Sequence, residues 1–312
     1  MPRSVPRTGE GSASVAEMRR PPGICWSVLA VVLVSAGCTT ASAGHSADPT
    51  TIVPGQAATQ APQSGSSTAP AVLVSPPSPD PASSASQARR PRPRPLAGTV
   101  IGIDPGHNGG NFDDPAFIGA QIWNGREDED CDTTGTQTDS GYTEAQFNFN
   151  VARYLRAILL ADGARVVMTR SSDTGVGPCV TTRAQIINRA HANVAIDIHA
   201  DGGPASGRGF TVLEPVSDGP NDQVIAASVR FGADVKAAML AGTSMPASDY
   251  YGAGGVIDRD DLAGLNLTTV PKILVECGNM RNATDAALLI RPSYQHLIAA
   301  ALAAAITRFL RR

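Results

Sequence analysis

The chain has 312 residues, of which 42% are hydrophobic and only 4% aromatic, with a formal net charge of −3, so any core is built mainly from Ala, Val, Leu and Ile. The charge is uneven: residues 1–96 hold 8 Arg and no Lys against 4 acids, whereas residues 97–312 hold 17 basic and 24 acidic groups. A net-acidic globular part lacks the cationic surface that nucleic-acid binding requires, and nucleic acid is set aside as a partner.

Residues 24–36 form an apolar run preceded by Arg19 and Arg20. It is too short to span a bilayer comfortably and has the length of a signal-peptide h-region. The residues ahead of it make an unusually long n-region, and Met18-Arg19-Arg20-Pro21 begins a conventional one, so translation is expected to start at Met18. Two processing sites compete. Val34-Ser35-Ala36-Gly37-Cys38 resembles a lipobox, with Cys38 the acylated residue, although Ser35 stands where a larger aliphatic is usual. Ala41-Ser42-Ala43 resembles an ordinary A-x-A cleavage site. Either reading places a signal segment over about residues 1–38, its exact end differing between the two, and exports the protein to the cell envelope. The first anchors it to the membrane through Cys38; the second leaves it soluble.

Residues 39–96 read as a disordered linker, because a stretch dominated by Pro, Ser, Ala, Thr and Gln buries too little apolar surface to offset chain entropy. Its basic end, Arg89 to Arg94, suits anionic wall polymers or lipid head groups, and serves equally as a solubilising charge.

From residue 97 to 312 strand-like and helix-like segments alternate, with no internal repeat. Strands are expected over 98–104, 164–169, 193–199, 208–214 and 271–276. Thr143-Glu144-Ala145-Gln146 is a capping box that opens a helix carrying Phe147, Val151, Leu155, Ile158 and Leu159. Thr182 to Gln185 repeats the capping signal before Ile186, Ile187 and Ala190. Residues 224–240 are helical in pattern. In the last segment Ser293 is expected to cap a stripe of Leu297, Ile298, Ala301, Leu302, Ile306 and Phe309. Such alternation predicts a single α/β domain with a largely parallel sheet.

Two long irregular stretches, 108–142 and 241–270, interrupt the pattern, and loops of this length in a compact domain are usually functional. The first carries an acidic run and Cys131. Cys277 lies among apolar strand residues and reads as a buried thiol, and Cys25 leaves with the signal. In an exported domain this leaves Cys131 and Cys179 to form a disulfide.

The chemistry gathers at strand ends. Ile101-Gly102-Ile103 breaks into Asp104-Pro105-Gly106 and delivers His107; Ile196-Asp197-Ile198 delivers His199; Ile273-Leu274-Val275 delivers Glu276. Of the remaining histidines, His45 lies in the linker, and His191 and His296 sit in helical patterns where a surface or packed histidine is ordinary. A lone histidine past a strand is commonly structural, but a parallel sheet brings two such ends together. Catalytic zinc commonly takes three ligands from His, Glu or Cys. Glu144 is a candidate third ligand, although the first turn of a helix favours any carboxylate. Glu276 continues an apolar strand, where a carboxylate needs a metal, a charge partner or a raised pKa.

The segments Asp104-Pro105-Gly106-His107, Glu144, Ile198-His199-Ala200-Asp201 and Leu274-Val275-Glu276-Cys277-Gly278-Asn279-Met280-Arg281-Asn282 together resemble the zinc-dependent N-acetylmuramoyl-L-alanine amidases of the type 3 family. Residues 199–210 and 261–267 resemble its actinobacterial cell-wall branch. The likeness covers essentially 98–312 and keeps the order His, Glu, His, Glu. It implies a mixed, mostly parallel, roughly six-stranded sheet flanked by helices. It also implies one Zn2+ per chain on His107, Glu144 and His199, with Glu276 as the catalytic group. The implied substrate is peptidoglycan or a muropeptide, cut between N-acetylmuramic acid and the L-alanine of the stem peptide.

Cys277 departs from the aliphatic residue expected beside that glutamate. It is either a bystander or a soft group near the metal, and alternation along a strand favours the bystander. Asp201, Asn279 and Asn282 are candidate substrate contacts, or turn-forming Asx residues. A monomer is expected. The competing readings are another zinc peptidase of the wall and a non-catalytic peptidoglycan-binding lipoprotein.

Overall fold

The computed structural model describes residues 94–312; the expected signal segment, with Met18 and Cys38, and the expected linker up to residue 93 lie outside the described residues. In chain order the elements are β1 (Val100–Pro105), α1 (Pro115–Ile118), β2 (Gln121–Trp123), β3 (Asp128–Asp130), α2 (Glu144–Ala161), β4 (Arg165–Met168), α3 (Val180–Arg189), β5 (Val194–Asp201), β6 (Thr211–Pro215), α4 (Ile225–Gly242), β7 (Val256–Arg259), α5 (Ala263–Asn266), β8 (Lys272–Asn279), α6 (Ala283–Leu289) and α7 (Pro292–Leu310). Six strands form one sheet in the order β4-β1-β5-β8-β6-β7, and β2 and β3 form a separate ribbon. The pairs β1–β4, β1–β5, β5–β8 and β6–β7 are parallel; β6 runs antiparallel to β8. The fold is mixed α/β, as expected.

Alternation along each strand divides the sheet into two chemically different faces. One face carries Ile101, Ile103, Ile196, Ile198, Val212, Ile273 and Val275 into a core with Phe147 and Leu155 of α2, Phe231 and Val235 of α4, and Ile298 and Leu302 of α7. Each fully buried side chain of this size contributes about 1.5–3 kcal/mol relative to exposure, so this face supplies most of the apolar driving force. Cys277 lies in the same core, fully buried. The opposite face is thinly covered by α3 and α5, with two small apolar clusters around Ile187 and Leu213. Asp104, Asp197, His199, Leu274 and Glu276 occupy alternate positions on this second face, toward the carboxyl ends of β1, β5 and β8.

Several local expectations change. Thr143 does cap α2, accepting from Gln146 N at 3.3 Å. Thr182 does not cap α3: that helix starts at Val180 with Cys179 at its N-cap position. The Cys131–Cys179 disulfide and the bond from Val180 N to Cys131 O (2.8 Å) pin its start two residues before Thr182. Likewise α7 begins at Pro292 rather than being capped by Ser293, since proline is preorganised for the first helical turn. Leu297 faces solvent at 49% exposure instead of joining the core stripe. The stretches read as irregular contain the β2–β3 ribbon, α1, β7 and α5. No helix among the described residues is long and apolar enough to cross a membrane.

Candidate active site

The turn after β1 places its histidine at a cost. His107 has φ of +58°, in the left-handed region that non-glycine residues rarely adopt, a conformation worth about 1–3 kcal/mol of strain. Two neighbours hold it there: Gly106 N donates to Ile198 O at 3.0 Å, and Arg183 Nη2 donates to His107 O at 2.8 Å. The result aims Nε2 at Glu144 Oε1, 3.2 Å away. His199, next but two from the end of β5, turns Nδ1 onto the same oxygen at 2.9 Å. Gly106 makes room for that ring, because a side-chain carbon there would collide with the imidazole of His199. Gly135, at φ +72°, closes the other side; a Cβ on it would lie 2.7 Å from His107 Cδ2 and 2.8 Å from Glu144 Oε2.

Glu144 opens α2, and its carboxylate is nearly fully buried. Oε1 also accepts from Ala200 N (3.2 Å) and Asn148 Nδ2 (3.3 Å), and Oε2 from Thr136 N (3.0 Å). One donor atom each from His107, Glu144 and His199 lies within 4.8 Å of the others. Burial opposes charge on all three groups. For Glu144 it is outweighed by His107 and then His199, which hold the carboxyl well below its usual range. For His107 burial is outweighed by Glu144 and Asp132, which push the imidazole up to about 10; Glu144 likewise raises His199. The field at the cluster therefore favours positive charge. Two imidazoles and a carboxylate are borderline and hard donors that suit zinc, and the residues fit such an ion.

Glu276 sits directly across the strand pair from His199, register partner for register partner. Its Oε2 is buried and has no hydrogen-bond partner among the described residues. Burial first of all raises this carboxyl, His199 opposes, and Glu144 and Asp201 add to the rise, giving about 8. Two cavities, of about 330 and 280 Å3, share His107, Thr133, His199, Leu262 and Leu274, and so adjoin at the His–Glu–His cluster. The larger runs under β3 and α5; the smaller is walled by Glu276, Asp201, Thr136 and Arg259.

Of the other candidates, Asp201 lines the smaller cavity, accepting from Tyr250 Oη at 2.7 Å and from Gly202 N at 2.6 Å. Asn279 and Asn282 line neither cavity. Asn279 is fully buried and donates to Pro204 O and Gly207 O, both at 2.8 Å; Asn282 caps α6 and donates to Ala205 O at 2.9 Å. Both hold the loop after β5 in place. His191 is exposed, and His296 is an exposed ring against Tyr154; neither belongs to the cluster or lines its cavities. Cys277 points to the opposite face from Glu276.

Sequence reading missed the charges beneath the cluster: Asp104, Asp132, Arg183, Asp197 and Lys272 are all buried. The signal was present. Asp197 and Lys272 lie in apolar strands just as Glu276 does, and the reasoning applied to that glutamate applies to them.

An α/β sheet that brings two histidines at its strand ends against a glutamate at a helix start, beside a buried unpaired carboxyl and two adjoining cavities, is an arrangement suited to a hydrolase with a candidate metal site. Comparison with known proteins narrows this. The profile of the N-acetylmuramoyl-L-alanine amidase family matches residues 101–308, and the chain belongs to that family. It is 42% identical over 222 residues to the N-acetylmuramoyl-L-alanine amidase Rv3717 of Mycobacterium tuberculosis, covering 69% of this chain and 88% of that protein. The crystal structure of an N-acetylmuramyl-L-alanine amidase from Mycobacterium smegmatis superposes with a TM-score of 0.65 at 40% identity, covering 69% of this chain and 98% of that one. An N-acetylmuramoyl-L-alanine amidase of Nostoc punctiforme, at 23% identity and a TM-score of 0.53 over 70% of this chain and 99% of its own, shares the fold.

Proposed function

We propose that this chain is a peptidoglycan hydrolase that cleaves the amide bond between N-acetylmuramic acid and the L-alanine of the stem peptide. The observation that carries the reading is Glu276: a buried carboxyl with one unpaired oxygen, registered beside His199 at the edge of the His107–Glu144–His199 cluster. Zinc held by those three residues would supply Lewis acidity, making water nucleophilic near neutral pH and polarising the scissile carbonyl. Glu276 takes the proton from the attacking water and returns it to the departing alanine nitrogen. A carboxyl raised by burial suits both tasks, because it accepts and releases a proton near neutrality.

The same reading places the protein at the cell envelope. Residues 1–38 contain the export signal, which ends at an acylated Cys38 that anchors the chain to the membrane or at the nearby Ala41-Ser42-Ala43 site that leaves it soluble; residues 39–96 act as a linker and residues 97–312 as the catalytic domain. The Cys131–Cys179 bond supports an oxidising compartment. Mass analysis of a defined muropeptide after digestion tests the function. Release of an intact stem peptide beginning with L-alanine, abolished by a zinc chelator and restored by zinc, is expected. Cleavage between amino acids, or no cleavage, refutes it.

A further inference from the structure

Each histidine of the cluster has a buried aspartate within 4 Å of its outer ring nitrogen, and the two aspartates are themselves joined. His107 Nδ1 is hydrogen-bonded to Thr133 O at 3.1 Å and lies 3.5 Å from Asp132 Oδ1, and Asp132 Oδ2 binds Arg183 Nη2 at 2.9 Å. Arg183 Nη1 binds Asp104 Oδ1 at 3.1 Å, and Asp104 Oδ2 binds Lys272 Nζ at 3.1 Å. Lys272 Nζ also binds Asp197 Oδ2 at 3.2 Å, and Asp197 Oδ1 faces His199 Nε2 at 3.7 Å. We propose that these five residues are positioning residues that work as one unit, an alternating-charge relay that fixes both imidazoles and sets the affinity of the cluster for a divalent cation.

Stability alone does not account for the arrangement. All five side chains are at most 9% exposed, and burying ions costs more desolvation than a well-packed apolar replacement would. Position and charge both point to the cluster. The relay joins β1, β5 and β8, the three strands that deliver His107, His199 and Glu276, to α3 and to the loop at Asp132. Three carboxylates against two cations leave one negative charge and Glu144 adds a second, so the relay and cluster together present net negative charge to a cation. A carboxylate this close to the outer nitrogen makes a ligand imidazole more basic and holds its orientation by charge. Lys272 is the discriminating residue, since it touches neither histidine and reaches the cluster only through aspartates, Asp197 on one side and Asp104, by way of Arg183 and Asp132, on the other.

This inference rests on the reading of His107, Glu144 and His199 as metal ligands, and one experiment separates the two. Zinc affinity is measured by chelator competition on the purified chain and on Lys272→Met, Asp132→Asn and Asp197→Asn. Asp234→Asn serves as control, because Asp234 is a buried acid of α4 that pairs with Arg308 and Arg312 outside the relay. The relay variants are expected to bind zinc about ten- to a hundredfold more weakly. The control is expected to lose thermal stability and keep its zinc affinity. A folded Lys272→Met with unchanged zinc affinity overturns the relay. Should that variant not fold, unchanged affinity in both aspartate variants overturns it on the same criterion. An unaltered chain that binds no zinc overturns the ligand assignment itself.

Discussion

Gly106→Ala is a small change with a large expected effect. Its methyl group would meet the imidazole of His199 well inside 3.0 Å, and ordinary contact begins near 3.4 Å. The ring therefore has to retreat by roughly 1 Å. It has little space to do so, because Glu144 Oε1 lies 2.9 Å from Nδ1 and Asp197 Oδ1 3.7 Å from Nε2. Misplacing a catalytic group by this much costs about a hundredfold in rate. Gly106 is not in a left-handed conformation, so the backbone itself tolerates alanine and the loss is local to the site. The assay pairs zinc titration with turnover of a defined muropeptide. Gly102→Ala, within β1 itself, is the comparison: its methyl would crowd Ala195 Cβ at 3.0 Å and Ile187 Cγ1 at 3.2 Å, away from the cluster. It should lower the melting temperature and leave zinc affinity intact. Wild-type zinc affinity and turnover in Gly106→Ala would refute the geometric reasoning.

Breaking the disulfide with Cys131→Ser and Cys179→Ser removes a cross-link spanning 48 residues. That is worth about 4 kcal/mol in the chain-entropy account, so thermal unfolding should shift downward by roughly 8–16 °C; a shift of a degree or two would show that the bond adds little. Glu214 gives a pH signature. Burial, reinforced by Asp258 against Lys236, raises its carboxyl from 4.5 to about 7 in the folded chain. The folded state thus holds a proton that the unfolded state has released, so this contribution is full below pH 4.5 and lost as pH rises through 7. Urea midpoints at pH 5 and pH 8 should differ less in Glu214→Gln than in the unaltered chain, and an equal difference would contradict the assignment.

Much of the fold is legible in the sequence for plain reasons. Five sheet strands are short apolar runs bounded by turn residues, and α2 announces itself through Thr143 and Gln146. The sixth sheet strand, β7, is not legible: Val256 and Ile257 are its only apolar residues, and they follow a run of glycines. Its identity comes from pairing with β6, a long-range contact that local pattern does not encode. The start of α3 is similarly set by a covalent bond rather than by capping chemistry. At the site, His107, Glu144, His199 and Glu276 were visible through strand ends and a family resemblance. Asn279 and Asn282 illustrate the opposite case, since polar residues near a site are as readily spent on loop carbonyls and helix caps. The buried relay escaped notice because its members come from five separate segments, and only the folded sheet reveals that their charges alternate.

The central claim is that Glu276 moves the proton while His107, Glu144 and His199 hold the metal. Glu276→Ala tests it most directly, with zinc content and muropeptide turnover measured on the same preparation. The account predicts one zinc per chain, as in the unaltered protein, with turnover reduced at least about a hundredfold, the usual scale for a general base. Undiminished turnover in the zinc-loaded variant would contradict it.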